Sequence, residues 1–235
     1  SDLLTSPGNP LTARVIVNRI WQGHFGKGIV ATPDNFGKMG APPVNQELLD
    51  WLAVDFMNHG WSAKYLHKLI MKSSVYRQSA RQGNEPWVAK AKTIDPSNSL
   101  LWRMPLRRLD AEALRDSLLS ASGNLNATQG GPAIRLEMQP DGVQVVSSKE
   151  PVEAKWRRSI YLTARRTYPV SFLGVFDYPI IDTNCTQRVP SATPLQSLTM
   201  MNDRFVWEAA ERMAAQVELL AGASAAAAAK IEAAY

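Results

Sequence analysis

Arginine is doubled at three places in this chain: Arg107–Arg108 opening the run RRLDAEALRDSL, and Arg157–Arg158 with Arg165–Arg166 bracketing SIYLTA. Guanidinium is a planar, permanently charged fork that suits carboxylates, phosphates and sulfates. Such clusters build either an internal ion-pair network or a site for an anion. Around the first pair, Arg108, Glu112, Arg115 and Asp116 lie three or four residues apart and so share one helix face. One reading is a salt-bridged face worth a few tenths of a kcal/mol per exposed pair. The other is that Glu112 orients an arginine toward a ligand. Arg165 and Arg166 stand at the end of an alternating segment, where binding groups favour the following loop, and Arg188 lies further on in an irregular stretch. Arg108, Arg115, Arg165, Arg166 and Arg188 are therefore the expected ligand-binding residues, with clamping or snorkelling arginines as the structural alternative.

Acid–base candidates are fewer. Glu112 and Asp177 supply a pair of carboxylates of the kind glycoside hydrolysis uses, but sequence sets no distance between them. His24 falls at a helix C-terminus, where the helix dipole favours the imidazolium. Cys185, the one cysteine, shares a polar loop with Asp177, Asp182 and Arg188. A nucleophilic thiol needs an activating base, and His24, His59 and His67 all lie in the N-terminal third. A lone cysteine serves equally as a small buried apolar residue. No Cys/His set has zinc spacing and no Cys-x-x-Cys-His occurs, so neither a metal nor a haem is expected on this chain.

The elements that must position these residues are mostly helices. Asn9–Pro10 is a helix start, followed by Ala13, Ile16, Val17, Ile20 and Trp21 at helical spacing and ended by Gly26. Asn45 caps a second helix that buries Leu48, Leu49, Leu52 and Phe56 and stops at Gly60; Ser62 caps a third carrying Leu66, Leu69 and Ile70. Residues 79–99, with Gly83, Pro86 and Pro96, read as a linker or surface excursion. Asp110 opens a helix that closes near Gly123. Residues 134–136 and 143–146 read as short strands, and Arg158, Ile160, Leu162 and Ala164 alternate with their neighbours as a third strand should. On that strand Arg157 and Arg165 would stand roughly 26 Å apart, each pair serving its own end. Pro169 and Pro194 start further helices, Asn202 caps the last, and an alanine-rich tail follows from Gly222. The fold class is α+β, mainly α-helical: an N-terminal helical bundle with a small antiparallel sheet over residues 132–166. One domain is expected over 1–221 (helical part 9–122, sheet and loops 124–193, C-terminal helices 194–221), then the tail, 222–235.

Composition narrows the classes. The chain has 235 residues, 45% of them hydrophobic and 20% charged, ordinary values for a globular protein with a real core. The net charge of +5 is spread along the chain, and no basic stripe is interleaved with aromatics, which argues against nucleic acid. No apolar run reaches the roughly 18 residues of a membrane helix. The chain opens at Ser1, as a fragment or processed product would.

The blocks NPLTARVIVNRIWQGHFGKGIV, PPVNQELLDWLAVDF, LLWRMPLRRLDAEALRDSLL, RRSIYLTARR, FDYP, CTQR and TPLQSLTMMNDRFV occur in that order between Leu3 and Met213. Together they closely resemble the PSD-type domain of unknown function at the C-terminal end of large planctomycete proteins. That domain usually stands behind a companion uncharacterised domain and often a planctomycete-type cytochrome c domain. The resemblance implies a secreted, extracytoplasmic multidomain protein, with haem on a partner domain and an association with polysaccharide. It carries no established activity over to any residue. Three functions stay open: an accessory module recognising an anionic, carboxylated or sulfated ligand such as a glycan; a hydrolytic or haem-partnered enzyme using Glu112, Asp177 and His24; and a scaffold that docks the upstream domains.

Overall fold

Short polar side chains start the first three helices by closing backbone N–H groups that have no helical partner. In the computed structural model, which describes residues 4, 6, 8–165, 168–179, 185–222 and 225–234, α1 runs Pro10–Phe25. Asn9 Oδ1 accepts from Leu11 N, and Gly26, at φ 81°, ends the helix. Asn45 caps α2 (Gln46–Asn58) by accepting from Leu48 N, and Ser62 caps α3 (Ala63–Lys72) by accepting from Tyr65 N. Tertiary contacts divide the chain into two compact units, residues 1–107 and 108–235. The helical part expected over 9–122 is therefore split at the doubled arginine.

In the first unit α1 packs on α2 and α3 around Val17, Phe25, Leu49, Leu52, Phe56 and Leu66, all at most 3% exposed. The apolar stripes read from the sequence face this core. One fully buried residue breaks the stripe on purpose. Asn18 Nδ2 donates to Val30 O at 3.0 Å, and Asn18 Oδ1 accepts from Val30 N at 2.9 Å. The side chain thus stands in for a strand partner and fixes the loop after α1. Gly28 permits the approach, since a Cβ there would lie 2.6 Å from both Asn18 Nδ2 and Val30 O. The stretch 79–99, expected as a linker or surface excursion, contains a helix, α4 (Pro86–Ile94). Pro86 is pre-set for a first turn, Val88 is buried, and Asp95 gathers the N–H groups of Ser99 and Leu100 while its carbonyl accepts from Trp102 Nε1.

In the second unit α5 (Ala111–Ala121) starts after Asp110, whose side chain makes no capping bond. Strands β1 (Leu136–Met138) and β2 (Gln144–Val146) pair antiparallel, Glu137 opposite Val145. Then follow 3₁₀ turns at Val152–Trp156 and Ser159–Tyr161, and α6 (Ser171–Val175), α7 (Pro194–Asn202), α8 (Arg204–Ala221) and α9 (Ala227–Ala234). The core is Ala111, Ile134, Leu136, Phe172, Leu173 and Phe176. Helix accounts for 49% of the chain and the sheet for two strands, so the mainly helical α+β class holds.

Two expectations are corrected here. Residues 158–165 form no strand: Ser159–Tyr161 is a 3₁₀ turn, and only a single parallel bridge joins Ile134 to Leu162. The cause is Asp116, which takes both Ser159 N and Ser159 Oγ, burying the serine and leaving Ile160 74% exposed. The alternation of residue types is real, but it marks no single buried face, since Ser159 and Leu162 are both buried while Ile160 is exposed, and the 26 Å separation goes with the strand. Asn202 ends α7 and does not cap α8; Asp203 does, accepting from Phe205 N at 2.8 Å.

Asn18→Leu keeps the volume but strands the N–H and C=O of Val30, so the first unit should lose about 2–4 kcal/mol. Urea unfolding followed by tryptophan fluorescence measures this. An unmoved midpoint would show that water satisfies Val30 instead.

Candidate functional site

Two arrangements in the second unit gather chemistry. The first is a polar cluster at the start of α5. Arg188 grips Glu112 with both arms, Nη1 to Oε2 at 2.5 Å and Nη2 to Oε1 at 2.8 Å. Burial alone would raise the Glu112 carboxyl, but the guanidinium fork outweighs it and holds the group below its usual range. Burial, with Glu112 adding to it, raises the neighbouring Tyr178 hydroxyl. Asp177 has φ 63°, a left-handed backbone that Asp tolerates better than most residues. Its carboxylate accepts from Ser191 Oγ at 2.6 Å and Ser191 N at 2.8 Å, and these bonds lower its pKa. Gln196, buried on α7, donates to Val175 O and accepts from Arg108 Nη1 at 2.9 Å; Arg108 also donates to Ser191 O.

The arginines expected to bind a ligand are thus largely occupied. Arg108 holds Gln196 and Ser191, and Arg188 holds Glu112. Arg115 is 3% exposed, with Nη1 on Arg157 O (2.9 Å) and Ser159 Oγ (3.2 Å) and Nη2 on Lys155 O (2.7 Å). Burial lowers its pKa to about 10, so it stays a cation at neutral pH. Arg165 is exposed, with no ion pair among the described residues, and Arg166 and Asp182 lie outside the described residues. The sequence placed Glu112 beside Arg108 on one helix face; the structure gives Glu112 to Arg188, 76 residues on, a pairing no local spacing could reveal.

The acid–base candidates are divided between the two units. Glu112 and Asp177 belong to the second unit and His24 to the first. Both carboxyls are held below their usual range, the opposite of what a general acid needs. His24 Nε2 meets His67 Nδ1 at 2.8 Å, and burial, then His67 and Arg107, lower its pKa, so it is neutral at pH 7. Cys185 is exposed and its thiol donates to Gln187 O at 3.4 Å; residues 108–235 contain no histidine to activate it. Among the described residues no group of three His, Cys, Asp or Glu could hold a metal ion. Nor is any described helix long and apolar enough to cross a membrane.

The second arrangement went unseen in the sequence. A cleft of about 890 Å³ opens between the β1–β2 hairpin and helices α7 and α8. Val143, Val145 and Val146 line it on one side, Leu195 and Leu198 on the other, with Val152 near them. Of the expected site residues that are described, only Arg115 reaches its lining. Leu195 and Leu198, one turn apart after Pro194, were the available signal: an apolar pair on a helix whose other face is already committed through Gln196.

Because the folded-state pKa of Glu112 is depressed, its pairing stabilises the fold above the ordinary value of 4.5, and that stability is lost as pH falls through the lower folded value. Melting temperature measured from pH 6 down to about pH 3 should therefore fall more steeply for the wild type than for Glu112→Gln. Parallel slopes would mean that the fork contributes no net stability.

No curated protein and no solved structure matches this sequence. One family model does, over residues 1–235: PSD1, a protein of unknown function (DUF1553). With its whole length covered, the chain belongs to the PSD1 (DUF1553) family.

Proposed function

We propose that this chain is an accessory binding module of a secreted, extracytoplasmic multidomain protein of planctomycete type, and that it takes its ligand in the cleft of the second unit. One observation carries this reading. Val152, Leu195 and Leu198 line the cleft while remaining 74%, 57% and 54% exposed. Apolar side chains left open inside a concavity of ligand size mark a binding surface. The resemblance noted in the sequence supplies the setting: an upstream companion domain, a cytochrome c-type partner that would carry any haem, and a polysaccharide context. The anionic ligand, carboxylated or sulfated, has narrower support, because Arg115 and Arg188 donate within the protein and the exposed Arg108 does so through Nη1. It rests on Arg165.

The enzyme reading loses ground because Asp177 closes its own loop on Ser191, and Glu112 ties that loop to α5 through Arg188. A scaffold role has one observation of its own: Trp51 and Val54, three apart on α2, are 56% and 52% exposed. That pair suits docking of an upstream domain on the first unit.

A thermal-shift screen tests the proposal, using carboxylated, sulfated and neutral oligosaccharides and short peptides. A ligand at about 100 times its Kd adds about 2.7 kcal/mol, which is roughly 5–10 °C of Tm in a chain of this length. We expect at least one such shift, abolished by Leu198→Arg, which fills the cleft with charge. An empty screen, or a shift that Leu198→Arg leaves intact, overturns the reading; a shift lost in Arg165→Ala instead assigns the ligand to the arginine.

A further inference from the structure

The β1–β2 pairing decides which backbone groups of the hairpin are free. Gln139 N donates to Val143 O and Ser147 N to Arg135 O. In an antiparallel ladder bonded pairs alternate with non-bonded ones, so Glu137 and Val145 are the bonded pair between them. Gln144 and Val146 then direct their N–H and C=O away from β1. On that outer side Ser171 Oγ already accepts from Gln144 N at 2.9 Å. Val146 N–H, Val146 C=O and Gln144 C=O have no partner among the described residues. Val170 and Phe172, flanking Ser171 on this same side, line the cleft. The cleft is therefore a groove with an open strand edge on one wall and the apolar face of α7 on the other.

An open strand edge beside a helix face is the geometry that receives an extended peptide: backbone bonds along the edge, alternate side chains into the groove. Charge selects the peptide. Glu137, Asp141 and Asp203 line the cleft, and their carboxylates are hydrogen-bonded by neutral donors: the Ser147 and Ser148 hydroxyls, Val143 N and Phe205 N. Of the lining cations, Arg115 donates to three protein oxygens, and Lys155 and Arg204 share Glu208, so the lining carboxylates outnumber the lining cations. A sugar would want an exposed aromatic platform. The aromatic rings lining the cleft are Phe172, which is buried, and Phe205, which packs against it at 5.4 Å and over Arg115 at 5.2 Å.

We propose that the outer edge of β2 takes a basic, extended peptide as an added strand, with its alternate apolar side chains seated between Val146 and Leu198. This rests on the cleft being the binding site, and it names the occupant. The probe is a fluorescein-labelled hexapeptide alternating lysine and valine, titrated with the full chain at low salt and read by fluorescence anisotropy. Saturable binding is expected. Methylating the peptide's backbone nitrogens removes the donors meant for Val146 C=O and should weaken binding roughly three- to tenfold. Val146→Pro removes the outward N–H from the protein side and should act alike; circular dichroism checks that it folds, and the methylated probe on wild-type chain covers the case where it does not. Exchanging the peptide's lysines for glutamates should abolish binding. Equal affinity for the methylated peptide, or for the glutamate peptide, overturns the proposal. If no peptide binds while another ligand still gives a shift sensitive to Leu198→Arg, strand addition falls and the cleft remains the site. If nothing responds to Leu198→Arg, both fall.

Discussion

The second unit depends on the guanidinium of Arg115. A buried cation is costly unless its donors are satisfied, and this one is met by two main-chain oxygens and the Ser159 hydroxyl, with the Asp116 carboxylate 3.8 Å away. Lys155 O and Arg157 O belong to a segment held by two 3₁₀ turns and one isolated bridge, Asn126 to Arg157. Arg115 adds its own hydrogen bonds. Its neighbour Asp116 completes the attachment by accepting from Ser159 N and Oγ, and Arg158 Nε lies 3.5 Å from the same carboxylate. From there Ile134 N reaches Tyr161 O and Thr163 N reaches Ile134 O, carrying the constraint to the hairpin. Phe205 of α8 covers the guanidinium from the other side. The two walls of the cleft, hairpin and helix, are thus anchored on one side chain of α5.

The same economy explains why acids and arginines that look catalytic in the sequence are better understood as braces. The segment from Asp177 to Ser191 lacks regular structure over its described residues, and such a loop must find partners for its polar groups. Asp177 closes it by taking both donors of Ser191, and Gln196 ties the closure to α7 and to Arg108. Arg188 then locks the loop to α5 through Glu112. Each of these charges is spent in the ground state.

How far the sequence foretold this depends on the range over which each signal acts. Caps and stripes are local, so α1, α2 and α3 follow from Asn9, Asn45, Ser62 and the apolar spacing after them. The arginine-and-acid network was legible as a set of residue types, and Arg115 and Glu112 do both sit in it. Their partners were not legible, because Lys155, Arg157 and Arg188 lie 40 to 76 residues away and only the fold brings them near. The failed strand at 158–165 has the same origin: alternation of types reports a strand only if the backbone is free to extend, and Asp116 turns it. In the 79–99 stretch Gly83, Pro86 and Pro96 punctuate the chain, yet Pro86 is also a helix starter, so the helix within the excursion was not foreseen. The cleft left the faintest trace, an apolar pair after Pro194, because a concavity belongs to no single segment.

Whole-chain charge also concealed what the division into units makes plain. Of the 26 lysines and arginines and 21 acids, residues 1–107 hold 13 and 7, and residues 108–235 hold 13 and 14. The net +5 is thus +6 on the first unit and −1 on the second. Arginines in the second unit meet a slight excess of acids, so pairing within the protein is their expected fate, and Arg188 and Arg158 follow it. The expectation of anion binding drawn from the doubled arginines falls largely on the half of the chain that has no surplus cation to offer. The surplus lies in the first unit, where lysines at positions 64, 68 and 72 recur every fourth residue along α3. What the second unit has to offer a partner is its open strand edge, its bare leucines and the carboxylates beside them.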